Sequence, residues 1–320
     1  MTPATRLLGA LGIALSILLV RPLGAQDLAT IRVSGPPIDA YKAVYYGIRS
    51  GLFRRYGLNV EAATVSSGNA ALAALAGGSV DVAFTSLLPV AQGHLRGVPF
   101  KIVAPAGWYI SDQPQLMMLV KKDSSIRNGR DLNGKTIASA SLKDLNVAGM
   151  LAWIDQNGGD SHSVRIVEIP NSALLAALDE GRIDAAVLIT PFLDQALASG
   201  KTRVLAKAYD AIAKRFETAG LVASADYIAK NQDAMTRFAR AMHESIVYTN
   251  AHMPQTVDLV ASYSGVEAAI IAKSVRATDP EYVEAKNIQP LINVAAKYGI
   301  LEKSFDANEI ISEVAVRPTR

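Results

Sequence analysis

Residues 74–83 read Ala-Leu-Ala-Gly-Gly-Ser-Val-Asp-Val-Ala, and residues 177–186 read Ala-Leu-Asp-Glu-Gly-Arg-Ile-Asp-Ala-Ala. Ala74, Leu75, Gly78, Asp81 and Ala83 recur in register as Ala177, Leu178, Gly181, Asp184 and Ala186, and Val80 is matched by Ile183. Each copy reads as the end of a small-residue helix, a glycine turn, and an apolar strand that opens on Val-Asp or Ile-Asp. A polar turn that can start the helix precedes each copy, Ser66-Ser67-Gly68-Asn69 in one and Pro170-Asn171-Ser172 in the other. Two copies of one helix–turn–strand unit predict two similar α/β lobes. Two lobes predict a cleft between them.

The flanking sequence extends the pattern. Ile31-Arg32-Val33-Ser34 reads as a strand stopped by Gly35-Pro36-Pro37. Tyr41, Val44, Tyr45 and Ile48 then fall on one helical stripe starting near Asp39. Extended patterns return at Gly57–Glu61, Val80–Thr85 and Phe100–Ala104, and after Trp108-Tyr109 at Leu116–Val120, Thr136–Ser139 and Val164–Ile169. A helix is expected near Asn146–Gln156. From Asn231 onward the pattern is almost wholly helical, with Met235, Phe238, Ala239, Met242 and Ile246 on one face and a short helix over Pro290–Tyr298. Strands alternating with helices at this spacing imply βα units and largely parallel sheets. The organisation read from this is a first lobe from residues 26–110 and 210–320, and a second from 111–209. Two chain crossings form the hinge.

The chain has 320 residues, half of them hydrophobic and 19% charged, enough for two domains with substantial cores. Residues 1–25 stand apart: a short basic leader ending at Arg6, an apolar run from Leu7 to Val20, and Leu23-Gly24-Ala25 ending on a small residue. That is the layout of a secretory signal peptide cut near Ala25, and the run is short for a membrane span. Cleavage would remove Arg6 and Arg21 and no acid, so a net charge of +3 becomes +1. No dense Lys/Arg tract remains, which argues against nucleic acid as partner. The chain contains no cysteine. This excludes disulfides, thiolate metal sites, a cysteine nucleophile, and the cysteine-linked lipid of an anchored bacterial protein. The expectation is a monomer free in the periplasm, with no membrane span after signal removal.

Several motifs are read as decoys. Gly129-Arg-Asp-Leu-Asn-Gly134-Lys135-Thr136 satisfies the phosphate-loop pattern letter for letter. A true phosphate loop lies between a strand and a helix N-terminus, whereas here polar sequence precedes the loop and a strand follows it. His94, His162, His243 and His252 show no metal-ligand spacing. Asp81 and Asp184 open strands at the end away from a cleft built on strand C-termini, and are read as accepting turn amides. Neither a metal nor a cofactor is expected.

In open α/β lobes, ligands sit beyond the carboxyl ends of strands, near helix N-termini. Ser34, Ser67, Gly68, Asn69, Ser86, Ser139, Ser141 and Thr190 all fall at such ends. Small hydroxyl and amide side chains beside free backbone N–H groups suit an oxyanion. Trp108 and Tyr109, at the first crossing, are candidates for a cleft wall. Tyr41 is a further candidate, although it shares its helix's apolar stripe. The strand ends carry no clustered Asp or Glu, so a small anion or anionic head group is expected. The two aromatic residues leave room for an organic body, which points to a sulfonate or carboxylate over bare nitrate.

Tyr46-Gly-Ile-Arg-Ser-Gly51-Leu-Phe-Arg-Arg-Tyr-Gly57-Leu-Asn-Val-Glu61, Ser67-Gly-Asn-Ala-Ala-Leu-Ala-Ala-Leu-Ala-Gly-Gly-Ser-Val-Asp81-Val-Ala and Asp131-Leu-Asn-Gly-Lys135-Thr-Ile-Ala resemble the nitrate/taurine/sulfonate-type periplasmic binding proteins of ABC importers. The resemblance covers nearly the whole chain after residue 25, and it implies a two-lobed type II periplasmic-binding-protein fold. It also implies closure on a small-molecule ligand and docking on an ABC permease with its ATPase. It accounts for the false phosphate loop, because the family commonly carries an Asp-Leu-x-Gly-Lys turn before a second-lobe strand. It leaves the ligand open among sulfonates, taurine, nitrate, carboxylates and neutral heterocycles such as a thiamine-precursor pyrimidine. A ligand-sensing role also stays open. A related enzymatic branch, the thiamine-pyrimidine synthases, carries a cysteine-rich motif that this chain lacks.

Overall fold

The computed structural model describes residues 28–142, 144–297 and 299–318. The expected signal peptide, its cleavage near Ala25, and Tyr298 lie outside the described residues. Ten strands form two five-stranded sheets. The first contains β1 (Ala29–Gly35), β2 (Leu58–Thr64), β3 (Val82–Ser86), β4 (Phe100–Ile110) and β10 (Arg215–Ser224), in the order β2-β1-β3-β10-β4. The second contains β5 (Leu116–Lys121), β6 (Thr136–Ser139), β7 (Arg165–Glu168), β8 (Ala185–Ile189) and β9 (Thr202–Ala206), in the order β7-β6-β8-β5-β9. In each sheet the strand next to the repeat strand, β10 beside β3 and β5 beside β8, is antiparallel to both its neighbours. These two strands adjoin the segments that cross between the sheets. Residues 111–115 lead from β4 into β5, and residues 207–214 lead from β9 into β10.

The quoted repeat is a structural repeat. In the first copy, helix α3 runs Gly68–Ala76 and feeds β3; in the second, the corresponding helix runs Asn171–Asp179 and feeds β8. Both turns need a left-handed residue, and glycine supplies it at Gly78 (φ 73°) and Gly181 (φ 71°). Asp81 and Asp184 also play matched parts. Asp81 Oδ2 accepts the Arg32 amide of β1 at 2.8 Å, and Asp184 Oδ2 accepts the Thr136 amide of β6 at 2.9 Å. The backbone N–H groups of the same two aspartates donate to the Arg32 and Thr136 carbonyls. The amides they hold therefore belong to neighbouring strands, not to the turns expected from sequence.

Helices cover both sheets. In the first lobe, α1 (Lys42–Arg49), α2 (Leu52–Arg55) and α4 (Leu87–Leu95) join α3. In the second, α7 (Phe192–Ala198) packs with the repeat helix α6, while α5 (Leu145–Gln156) buries its side chains in a separate core cluster. The return segment adds α8 (Ala225–Lys230), α9 (Gln232–Ala251), α10 (Val257–Ser264), α11 (Ala268–Ile271) and α12 (Ala285–Lys297). α12 begins before Pro290, which lies inside it, so the expected helix is longer at its start. On α9, the stripe Met235–Phe238–Met242–Ile246 is buried with Phe53, Val44 and Leu58 of the first lobe.

The tail does not stay with the first lobe. Val260, Val266 and Ile271 pack in one cluster with Leu174, Leu188 and Leu193 of the second. Residues 257–271 thus cover the second sheet, because α6 and α7 leave an apolar face that the lobe's own segment does not close. A separate core runs through the hinge. There Tyr109, Tyr209 and Phe216 sit with ring centroids 5.2–5.5 Å apart and join side chains from both sheets.

Candidate functional site: an interlobe cleft

The carboxyl ends of β3 and β8, and the helix starts that follow or neighbour them, face one cleft of about 540 Å³, part of it open to solvent. The first lobe supplies Ser67, Gly68 and Asn69 at the start of α3, Thr85 and Ser86 at the end of β3, and Thr218 of β10. The second supplies Ser141, Asp144 and Asn146 around the start of α5, Asn171 at the start of α6, and Tyr209. Pro36, Ile38, Phe84 and Ile189 make the apolar part of the wall. No Lys, Arg or His lines the cleft among the described residues.

The local sequence explains why these groups point inward. The Ser67 Oγ accepts the Ala70 amide at 3.2 Å and caps α3, leaving the first turn of the helix aimed at the cleft. Gly68 lets the helix start approach β3 closely, since a Cβ would sit 3.1 Å from Thr85 Cα and Oγ1 and push that strand end aside. The Asn69 Oδ1, Thr85 Oγ1 and Ser86 Oγ are buried without a hydrogen-bond partner within the protein. Buried polar atoms of this kind are rare, and where they gather in a cleft they identify ligand-facing groups. Thr218 differs, because its hydroxyl donates to the Gly107 carbonyl at 2.7 Å.

On the opposite side, Asp144 Oδ1 accepts the Asn146 and Val147 amides at 3.1 and 3.3 Å and caps α5. Burial, countered by those two amides and reinforced by nearby Glu168, pushes its carboxyl up to about 7. The Tyr209 hydroxyl donates to Asn146 Oδ1, and burial raises its pKa well above the usual tyrosine value.

Of the residues singled out from sequence, Ser67, Gly68, Asn69, Ser86 and Ser141 line the cleft. Ser34, Ser139 and Thr190 lie at the expected strand ends but are buried behind the lining, at 1%, 0% and 1% exposure, with no side-chain partner. The Thr190 carbonyl instead accepts the Asp39 amide at 3.2 Å and ties the lobes together. Tyr41 is a core residue, edge-on to Tyr45 and Phe84 at 5.4 Å.

Trp108 and Tyr109 do not wall the cleft. Strand β4 turns alternate residues to opposite faces, so the two could not both do so. Arg215 covers the Trp108 ring at 4.5 Å, and Tyr109 donates to Asp210 at 2.6 Å in the hinge core. Tyr209 from the second crossing takes the aromatic place at the cleft. Sequence reasoning also missed Asp144, Asn146 and Thr218, and it treated Asn171 only as a helix starter. Asp144 carried a readable signal, since an Asp just before an apolar helical run is a capping pattern. It adds a single acid to a lining in which no clustered Asp or Glu was expected.

Lys135 is far from this chemistry. It pairs with Asp184 at 3.6 Å beside the opposite ends of β6 and β8. Among the described residues no cluster of His, Cys, Asp or Glu is placed to hold a metal ion, and no helix is long and apolar enough to cross a membrane.

Two sheets of matched order, crossed twice by the chain and enclosing a polar cleft, define the periplasmic-binding-protein fold. The chain belongs to the NMT1/THI5-like family, whose model matches residues 40–256. Solved structures share the fold. The ligand-binding component of an ABC-type import system from Staphylococcus aureus, with zinc bound, has a TM-score of 0.75 at 14% identity, over 89% of this chain and 96% of its own. The aliphatic sulphonate binding protein SsuA of Escherichia coli has 0.69 at 20% identity, over 88% and 97%. The nitrate-binding protein NrtA of Synechocystis PCC 6803 has 0.74 at 13% identity, over 90% and 87%. No curated protein matches the sequence significantly.

Proposed function

We propose that this protein is the solute-binding component of an ABC-type importer. In this reading it works outside the cytoplasmic membrane, captures a small organic solute with an anionic head group between its lobes, and presents the closed form to a permease. One observation carries the reading: polar side chains from two separate sheets converge on one cleft. Ser67, Asn69 and Thr85 face Ser141 and Asn171 across it.

The head group belongs at the first lobe. There the first turns of α3 and α4 and the unpartnered hydroxyls of Thr85 and Ser86 offer donors without a cationic side chain. Phe84, Ile38 and Ile189 suit an apolar body. Among the described residues the lining holds hydroxyls but no imidazole beside them to act as their base, which supports binding over covalent catalysis. Fold alone does not decide this, and the lining supports the binding reading.

A ligand that touches both lobes binds the closed arrangement better, and that difference shifts the population toward closure. Small-angle scattering with short sulfonates and carboxylates is expected to show a smaller radius of gyration for those that bind. At a ligand concentration a hundred times Kd, stability rises by about 2.7 kcal/mol, read as a higher Tm. Tight binding without compaction would place the site in one lobe and end this reading.

A further inference from the structure

The two sides of the cleft differ in charge, and the difference bears on the ligand. At the first lobe every polar side chain facing the cleft is a neutral hydroxyl or amide, and the starts of α3 and α4 add backbone donors. At the second lobe the start of α5 is already held by a carboxylate, Asp144, which is 8% exposed. Its Oδ1 is engaged by the Asn146 and Val147 amides, while no protein donor reaches Oδ2 among the described residues. An anion placed against this helix would meet a negative group where a helix start ordinarily offers a positive one. A buried carboxylate with no cationic neighbour in the lining among the described residues is costly unless a partner arrives with the ligand.

We propose that Asp144 is a specificity-determining residue that receives a protonated amine, so that the solute is a small zwitterion with its anionic group at the first lobe and its ammonium at the second. This rests on the reading of the cleft as a solute site given above, and adds the second half of the ligand. Asp144 serves as a selectivity filter as well as a cap. A solute of the same length lacking the amine leaves the carboxylate desolvated and unpaired, which disfavours it.

The charge state of the site fixes the sign of a pH dependence. The groups facing Asp144 are Glu168 of β7, which raises its proton affinity, and Tyr209, which is neutral at these pH values. With the Asp144 carboxyl near 7, a rise from pH 6 to pH 8 ionises it. An ammonium ligand favours the ionised form, so its affinity rises across that interval. An anion without the amine favours the protonated form, so its affinity falls.

The experiment is calorimetry on the full protein, with scattering alongside, using matched pairs: taurine against ethanesulfonate, β-alanine against propionate, and ethylamine as a cation alone. The expected result is that at least one amine-bearing member binds tenfold or more tighter than its partner. Asp144→Asn should abolish that preference. Asparagine caps a helix as well as aspartate, so this variant keeps α5 intact, and an unchanged Tm verifies it. Des-amino anions binding as well as the amines, or Asp144→Asn leaving the preference in place, would overturn the assignment. Ethylamine binding alone would retain the role of Asp144 as cation receiver, while removing the anionic head group and with it the zwitterion. Failure of every probe to bind or compact the protein would remove the underlying reading of the cleft, and this inference with it.

Discussion

The first lobe's copy of the repeat holds its aspartate far more tightly than the second lobe's copy does. Asp81 is 9% exposed in its side chain and takes the Arg32 amide together with the Arg32 guanidinium at 2.7 Å. Asp184 is 37% exposed in its side chain and takes the Thr136 amide with Lys135 only at 3.6 Å. The backbone bond is common to both, and the ion pair around it is not. The cleft-facing ends diverge in the same way, with neutral side chains on the first lobe and a carboxylate on the second. What the two copies share is the geometry that pins a strand to its neighbour. What they do not share is the charge placed around that geometry, and charge is where each lobe acquires its own task.

The sharpest test of this asymmetry lies at the seam between the lobes. The first lobe's Asp39, 1% exposed, is gripped by Arg276 through Nε at 3.0 Å and Nη2 at 2.6 Å, and it accepts the Ala277 amide. The second lobe's Asp194 has a buried oxygen, Oδ2, with no partner. Its carboxyl is pushed up to about 7, by burial first and by the charge on Asp39 second. Arg276→Ala leaves Asp39 as an uncompensated buried charge, and a loss of about 3–5 kcal/mol is expected in urea unfolding. The sign of its pH dependence follows from Asp194. A carboxyl whose folded value lies above its unfolded value favours folding at low pH, and that contribution is lost as pH rises through about 7. Removing the nearby guanidinium makes an ionised Asp194 still less welcome, so the deficit should grow between pH 5 and pH 8. A loss below about 1 kcal/mol would show that the seam is wet and that the two lobes are less coupled than their contacts imply.

A smaller effect separates the repeat copies themselves. Asp81→Ala removes a backbone acceptor and both guanidinium bonds, so the larger loss of the two aspartate variants is expected, held down by solvent screening of the exposed Arg32 guanidinium. Asp184→Ala removes one amide bond and a loose exposed pair, so about 1 kcal/mol is expected. Equal losses in chemical denaturation would mean that the shared backbone bond carries all the energy and that the guanidinium contributes nothing.

How much of this was legible beforehand depends on whether a residue acts through its own segment. The repeat is local: a small-residue helix, a glycine turn and an apolar strand each leave a periodic trace, and β3 and β8 follow from it. Ser67 and Asn69 were readable because a strand end and a helix start meet within a few residues. Thr218 and Tyr209 were not, because they reach the cleft from strands and crossings whose placement depends on pairing with distant partners. β10 pairs with β3 and β4, more than a hundred residues earlier in the chain. Trp108 shows the opposite failure. Its size and position suggested a wall, but in a long strand one residue of register decides which face a side chain joins, and composition does not report register. The return of α10 and α11 onto the second lobe was hidden for a related reason, since an apolar helix stripe does not say which apolar face it will cover.

The smallest effect expected is that of Lys135→Ala on ligand binding, and it tests the comparison at the strand ends away from the cleft. The residue completes a letter-perfect phosphate-loop pattern, yet its loop delivers the chain into β6 instead of receiving it from a strand. Gly134 supplies a left-handed turn at φ 72°, and the Lys135 amide donates to the Leu132 carbonyl at 3.0 Å, so the turn is closed on itself. The ammonium is 44% exposed and faces Asp184 beside the first residue of β6, whereas the cleft lies beyond the last. At that separation an exposed charge is largely screened in physiological salt. Ligand affinity measured by calorimetry should change less than twofold, and stability by no more than about 1 kcal/mol, the value of an exposed pair. Nucleotide binding that disappears on this substitution would give the second lobe a phosphate site and break the assignment of all ligand chemistry to the strand ends.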